Sequence, residues 1–563
     1  MHIPYLTDKY KDIKRFQFVV NVLIKHGLGH IISRLNLEHH LSFWRRIVHR
    51  STPEAHEIWL SVPERLRLAM EELGPTFIKF GQILSARPDI IPAEYIKEFE
   101  KLQDNIRPFS FEDVRAVIKK DLRLEIEDLF NEFSAQPMAA ASIAQVHRAV
   151  LSSSLSSVVV KIQRPGIEEI IETDLHILLA LASLMEKRIP STKRYNPVGI
   201  IREFERSIRK ELDFTKEAYH IEQFRKNFQD EPTIYIPRVY WELTSKRILT
   251  MEAIDGIKVN DIKRIEEAGL DPKVIAKNGA KAILKQVFID GFFHGDPHPG
   301  NILCLEGNRL AFLDFGIVGR IDERMQQNIA DAILGMLLKN TQQIIDCFWR
   351  LGTIDEDVDK QALKADLDAF VERYYEIPLE KLKIGRMLQD VLEIAIKNNL
   401  KILPEFLLLA KALIVMEGVG LMLDPTFEII SLVQPIVSSV VKKRLAPSKV
   451  FHDVLKLTAE LGSLIKTLPQ EIDLLLKKLQ SGKLKIEFEH QGLGDLLKEC
   501  DRASNRLSFA MIVAATIIAS SLMVQANIGP LVWGIPLLGL IGFIISGILG
   551  MFLLVLIIIS GRF

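Results

Sequence analysis

The chain has 563 residues, enough for roughly two to four domains and an ample core. Lys+Arg and Asp+Glu both number 72, so no net charge argues for a nucleic-acid partner, and 48% hydrophobic against 26% charged residues excludes a disordered chain. Three widely spaced cysteines (Cys304, Cys347 and Cys500) form no CxxC pair, which argues against a disulfide scaffold or a cysteine-built zinc site and fits a reducing compartment.

In chain order, residues 1–60 form a basic amphipathic region whose start, MHIPYLTDKYKD, lacks the apolar core of a signal peptide. Nine Lys/Arg between Lys9 and Arg50 face only Asp8, Asp12 and Glu38. Phe16, Val19, Val20, Leu23, Ile24, Ile31 and Ile32 fall on one broad helical face. That face can lie on an anionic membrane surface or pack on the body, and the sequence leaves both open. Residues 61–125 read as a helical extension, broken at Gly74-Pro75 and again at Arg87-Pro88.

A β-rich lobe is expected over 126–255, with strands at Ile143–Val150, Ser157–Gln163, Thr233–Trp241 and Arg247–Glu252. A long helical stretch, 168–228, interrupts it. A mainly helical lobe follows over 256–440, then a helical juxtamembrane region over 441–506. From Leu507 to Gly561 there are 55 residues without an Asp, Glu, Lys or Arg. Leu507–Ala526 and Ile535–Ile559, parted by Asn527-Ile528-Gly529-Pro530, are each long enough at about 1.5 Å per residue to cross a hydrocarbon core of roughly 30 Å. Residues 507–563 therefore read as a transmembrane hairpin. Lys498, Arg502, Arg506 and Arg562 flank it while its loop is uncharged, which places the body and both termini on the cytoplasmic side of an inner membrane. The spans hold no ionisable residue, so they read as an anchor in membrane lipid rather than an ion path.

The chemistry lies between. Val158-Val159-Val160-Lys161 ends an apolar strand in a lysine, where a kinase holds nucleotide α/β-phosphates. His294-Gly295-Asp296 is followed by Asn301 five positions beyond Asp296, the catalytic-loop spacing. Asp314-Phe315-Gly316 comes eighteen positions after Asp296. Asp314 and Asn301 offer hard oxygen ligands for Mg²⁺ on the phosphates of ATP or ADP, and Asp296 stands at the catalytic-base position. Met251-Glu252-Ala253-Ile254 resembles an interlobe hinge whose backbone at Glu252 and Ile254 binds adenine. His294 and His298 lack a third soft ligand and read as structural.

These residues, with four further motifs, resemble the UbiB family of atypical protein-kinase-like proteins of ubiquinone biosynthesis. The motifs are Lys79-Phe80-Gly81-Gln82 (KxGQ), Leu102-Gln103-Asp104, the alanine-rich loop Ala139-Ala140-Ala141-Ser142, and Glu211-Leu212-Asp213 (ExD) followed by Glu217-Ala218. Ala144 stands where glycine is usual in the family. The resemblance implies an α+β, two-lobe atypical protein-kinase-like fold with a helical N-terminal extension and a C-terminal transmembrane hairpin. It implies that Glu217 holds Lys161, and that the alanine loop covers the phosphates in place of GxGxxG. Alanines disfavour positive φ, so this loop should approach phosphate differently from a glycine loop. It further implies a regulatory set, Lys79 and Gln82 with Glu211 and Asp213, in which the extension folds over the cleft and Lys79 meets the two carboxylates. The implied function is ATP hydrolysis supporting ubiquinone biosynthesis, with quinone-precursor lipids and quinone-biosynthesis proteins as partners. Phosphotransfer to a small molecule, lipid or protein, and a non-catalytic nucleotide-gated lipid-binding scaffold, are the alternatives.

Overall fold

The computed structural model describes residues 10–29, 33, 60–85, 87–88, 90–102, 107–189, 192–193, 196–338, 340–350, 358–375, 377, 383–398, 400–433, 435–436, 493–526, 530–532 and 535–559. Gln103-Asp104, Ile31 and Ile32 of the N-terminal apolar face, the whole basic run at 34–50 and residues 441–492 of the juxtamembrane region lie outside them. The chain divides into two units, Met1–Phe451 and His452–Phe563.

The first unit begins with α1 (Tyr10–Lys25), α2 (Val62–Leu73), α3 (Pro75–Ser85) and α4 (Ala93–Phe99). Ser61 starts α2 with a reciprocal capping box: its hydroxyl accepts from the Glu64 N–H, and Glu64 accepts from the Ser61 N–H. α5 (Phe111–Leu122) and the short α6 (Ile126–Leu129) lead into an antiparallel sheet. Its strands are β1 (Phe130–Phe133), β2 (Ala139–Ala140), β3 (Ala144–Leu151), β4 (Ser157–Gln163) and β6 (Ile248–Glu252). The order is β1-β3-β4-β6, with β2 paired to β3. β4 alternates: Val158, Val160 and Ile162 are buried in a cluster with Val114, Val117 and Ile118 of α5, which leaves Lys161 on the opposite face.

Between β4 and β6 the chain forms α7 (Ile167–Arg188), α8 (Pro197–Glu211) and α9 (Phe214–Asn227). α7 and α8 join the first helices in one apolar cluster that includes Val19, Val20, Met70, Phe77, Phe99, Leu175 and Phe204. The helical layer is thus built from helices that precede the sheet and from helices inserted between two of its strands. Of the two readings of the α1 face, the structure takes packing on the body. Phe16, Val19 and Val20 are buried, and Arg15 clamps the fully buried Asp174 at 2.7 Å and donates to the Leu73 carbonyl.

The second lobe carries a sheet of β5 (Ile234–Tyr235), β10 (Arg309–Phe312), β9 (Ile302–Leu305) and β7 (Ile257–Lys258), plus the pair β8 (Phe292–His294) and β11 (Val318–Arg320). The strand expected over Thr233–Trp241 is a correction: its start pairs with β10 of this lobe, while Val239 bridges Met251 of the other. The segment crosses between lobes, so each part finds its backbone partners in a different sheet. α10 (Ile262–Glu267), α11 (Pro272–Lys285), α12 (Glu323–Leu337), α13 (Thr341–Arg350), α14 (Lys360–Tyr375), α15 (Ile384–Lys397) and α16 (Pro404–Leu423) complete the lobe. α16 is apolar enough to span a membrane, yet half of its apolar window is buried, and Leu409, Ala412 and Met416 join the lobe core. It is a core helix. Gly279 of α11 admits Met416, whose Cε would lie 2.3 Å from a Cβ there.

In the second unit, α17 (Leu493–Ala526) and α18 (Leu537–Ile559) form a hairpin, joined through a two-stranded turn of Leu531–Val532 and Ile535–Pro536. Its contact is made by small residues. Ser520 and Ser546 are buried, and a Cβ at Gly542 would meet Ser520 Oγ at 2.0 Å. The large side chains point outward instead: Leu507, Ile512, Ile518, Leu522, Ile544 and Ile548 are exposed.

Candidate active site

Lys161 reaches from β4 to Glu217 of α9, with its Nζ 3.0 and 2.8 Å from the two carboxylate oxygens. Asp213 places that helix by capping it, accepting from the Thr215 N–H and hydroxyl. Burial works against the Lys161 charge, but Glu217 and Asp314 outweigh it and hold the ammonium above its usual value. Lys161 is therefore charged at neutral pH, paired to Glu217 and close enough to Asp314 to feel its charge.

α9 is tied to the Asp314-Phe315-Gly316 segment as well. His220 donates from Nδ1 to the Phe315 carbonyl at 3.0 Å, and the fully buried Phe315 ring packs 5.1 Å from Phe224 and 5.7 Å from His294. This inward Phe315 and the closed Lys161–Glu217 pair together form the assembled arrangement of a kinase cleft. Burial opposes ionisation of Asp314, but Lys161 and the Gly316 N–H, 2.9 Å from Oδ1, bring its carboxyl below the ordinary aspartate value.

Asp296 follows β8. Its N–H donates to His294 Nδ1 at 3.1 Å, and burial pushes the His294 ring below the usual histidine value. His298 accepts from the Gly300 N–H and shapes the turn that presents Asn301. The Leu313 N–H donates to the Asn301 carbonyl at 3.0 Å, which brings Asn301 alongside the residue before Asp314. Among the described residues no group of three His, Cys, Asp or Glu converges to hold a metal. One carboxylate and one amide oxygen suit Mg²⁺ shared with phosphates, since that ion keeps waters and phosphate oxygens in its shell rather than a full protein cage.

At the hinge the Glu252 side chain is occupied, accepting from the Tyr235 hydroxyl at 2.7 Å and the Arg238 N–H at 3.2 Å. The Glu252 and Ala253 N–H groups are spent on the Arg238 and Ser157 carbonyls, so Ile254 offers the next N–H along this segment. The alanine loop is a tight extended hairpin: Ala139 and Ala140 pair with Val146 and Gln145, and Ala141 donates to the Ala144 carbonyl at 2.7 Å. None of Ala139, Ala140, Ala141 or Ser142 has positive φ. Ser142 is fully buried, and its neighbour Ile143 belongs to the apolar cluster of the helical layer. The end of the loop, at Ser142 and Ile143, is thus buried against the helical layer, while Ala139 at its start is exposed.

Lys79 of α3 pairs with Glu211 at 2.9 Å, and its charge also acts on Asp314. Gln82 faces elsewhere: its amide donates to the Leu102 carbonyl at 3.1 Å. Gly81 explains its own place in the motif, because a Cβ there would lie 2.3 Å from Leu102 Cδ1 and 2.9 Å from Met70 Sδ. The glycine and glutamine dock the helix that carries Lys79. Asp213 serves α9 as its cap, so the two ExD carboxylates have different partners.

Two contacts lay outside the sequence reading. His220 anchors Phe315, and Lys411 of α16 forms an ion pair with Asp296 at 3.1 Å. Lys411 did carry a signal: it is the single basic residue in the 20 residues of α16.

A β lobe and a helical lobe, with a Lys–Glu pair and a catalytic-loop aspartate between them, define an atypical protein-kinase-like protein. Comparison agrees. An ABC1 atypical kinase-like domain model matches residues 101–348, a UbiB helical domain 367–428, and an ABC1/UbiB kinase-like C-terminal domain 491–559. A probable protein kinase UbiB of Marinobacter nauticus is 36% identical over 79% of this chain and 82% of its own. An uncharacterized protein of the hydrogenase 1 5' region of Clostridium pasteurianum is 34% identical over 98% of this chain and 99% of its own. The solved Rv3197–erythromycin complex of Mycobacterium tuberculosis is similar over 61% of this chain and 87% of its own, at 23% identity and a TM-score of 0.46. The chain belongs to the UbiB family of atypical kinase-like proteins.

Proposed function

We propose that this protein is a membrane-anchored, ATP-hydrolysing kinase-like enzyme that supports ubiquinone biosynthesis. The observation that carries the enzymatic part is the Lys161–Glu217 pair, closed beside Asp314 in a cleft that also holds Asp296 and Asn301. Lys161 holds the α/β-phosphates, and the Ile254 backbone and Glu252 carbonyl bind adenine. Asp314 and Asn301 would hold Mg²⁺, which would supply charge neutralisation on the phosphates. Asp296 orients a water and takes its proton. The water oxygen bonds to the γ-phosphorus as the bridge to the β-phosphate breaks, and ADP leaves with the bridging electron pair.

Hydrolysis is favoured over protein phosphorylation because the extension seats Lys79 on Glu211, close enough for its charge to act on Asp314, and so brings a cation of its own to the cleft. The quinone connection rests on family membership and on the UbiB name carried by the relatives. Anchoring, with the body on the cytoplasmic side, rests on the outward apolar side chains of the terminal hairpin and the basic residues flanking it.

Asp314→Asn tests the site. It removes the metal-binding charge while nearly keeping shape, so Mg-ATP should lose most of its stabilising shift in melting temperature. An unchanged shift in a folded variant rejects the assignment. With γ-labelled ATP, wild-type protein should release free phosphate; a labelled acceptor would mean phosphotransfer instead, and neither product a nucleotide-gated scaffold.

A further inference from the structure

Protein kinases commonly place a lysine two residues after the catalytic aspartate, and here that position is His298, whose ring is occupied by the Gly300 N–H. The cleft obtains a cation from another element. Lys411 projects from α16 to Asp296, 3.1 Å from Nζ to Oδ2, and both side chains are about one-third exposed, 36% and 34%. The approach is built rather than incidental. Leu408, one helical turn earlier on the same face, packs against the catalytic loop so closely that a Cβ at Gly295 would lie 2.8 Å from its Cδ1. The Glu417 carboxylate, further along the same helix, accepts from the Ile384 and Gly385 N–H groups at 2.6 and 2.7 Å and fixes α16 against α15.

We propose that Lys411 is the γ-phosphate-binding cation of the cleft, supplied by the helical domain in place of a catalytic-loop lysine. The inference rests on the nucleotide reading of the site. A base must lie about 2.6–3.2 Å from the attacking oxygen, and that oxygen about 3–3.5 Å from the phosphorus. An ammonium already bonded to Asp296, on a flexible four-carbon stem, therefore reaches the γ-phosphoryl oxygens without leaving the carboxylate. Its charge also removes a conflict, because a bare Asp296 would repel the incoming γ-phosphate. Lys161 and Lys79 pair with Glu217 and Glu211, whereas Lys411 is the cation that pairs with the catalytic-loop Asp296 itself. The helical domain thus contributes a substrate contact as well as core.

Binding of Mg-ATP and Mg-ADP to the full-length protein, measured side by side, tests this. ADP lacks the γ-phosphate, so Lys411→Met, which keeps most of the aliphatic stem, should weaken ATP about tenfold while leaving ADP within about twofold. Lys411→Arg should restore most of the preference for ATP, and the melting temperature of both nucleotide-free variants should stay close to wild type because the pair is half-open. Equal losses for ATP and ADP, or no loss for either, overturn the proposal while leaving the nucleotide site standing. Wild-type protein that binds neither nucleotide overturns both the proposal and the site on which it rests.

Discussion

Lys79 is the residue whose role is most open to a single substitution. Its ion pair with Glu211 is partly exposed, so Lys79→Ala leaves a carboxylate that can regain water, at a cost of under about 1 kcal/mol in stability. The functional effect should be larger, because the lysine also acts on Asp314. Lys79→Ala is expected to change nucleotide preference or expose autophosphorylation, and to impair quinone production. Nucleotide binding, autophosphorylation and quinone rescue measured on that one variant decide it, and wild-type behaviour in all three rejects a gated cleft. At this scale the sequence was most legible where chemistry is packed into short spacing: Asp296, Asn301 and Asp314 sit within one loop and hairpin. Lys161 needed the apolar strand before it, and Glu217 needed the ExD motif as a landmark. Lys411 and His220 could not be read, because nothing local links a lysine on an apolar helix, or a histidine one turn past Glu217, to loops far along the chain.

Elements were legible in type more than in allegiance. β4 runs over Ser157–Gln163 as its short apolar run predicts, and α7, α8 and α9 fall in the expected helical stretch with its break near Pro190–Pro197. Which layer an element joins depends on tertiary contacts that periodicity does not encode. α5 belongs by sequence position to the extension yet packs on the sheet, while α7 and α8 leave the sheet to pack with the extension. The same reasoning gives a prediction for α1. Its amphipathic face suited a membrane or a protein core equally, and the decisive contact is Arg15 with Asp174, a carboxylate fully buried on α7. Arg15→Ala should strand that charge and cost about 2–4 kcal/mol, a loss visible as a lower melting temperature and as faster proteolysis within residues 10–29. Asp174→Asn combined with Arg15→Ala should recover part of the loss, since an amide is cheaper to bury than a carboxylate. Equal melting temperatures for wild type and Arg15→Ala would show that α1 is held by its apolar face alone.

The molecule as a whole contains two kinds of apolar helix, and composition alone does not separate them. α16 and the Ser504–Ala526 stretch of α17 have mean hydropathies of 2.1 and 2.2, but half of the first window is buried and only 6% of the second. α16 has the lobe core around it, whereas the terminal hairpin buries serines and glycines at its own contact and turns its large side chains out. Apolar surface on that scale costs free energy in water at roughly 25 cal/mol per Å² and is stable only against lipid or another apolar surface. The two units therefore make different demands on solvent, and they can be parted experimentally. A chain ending at Asp501 keeps the two kinase-like lobes, the Lys79 extension and α16 but loses both outward-facing helices. It should be extracted from membranes without detergent and should still give a Mg-ATP melting shift, because no proposed nucleotide contact lies beyond Lys411. Full-length protein should resist both high salt and alkaline carbonate. If the shortened chain resists them too, the principal anchor lies within the first unit; if it is released but has lost the nucleotide shift, the hairpin supports the cleft as well as holding it at the membrane.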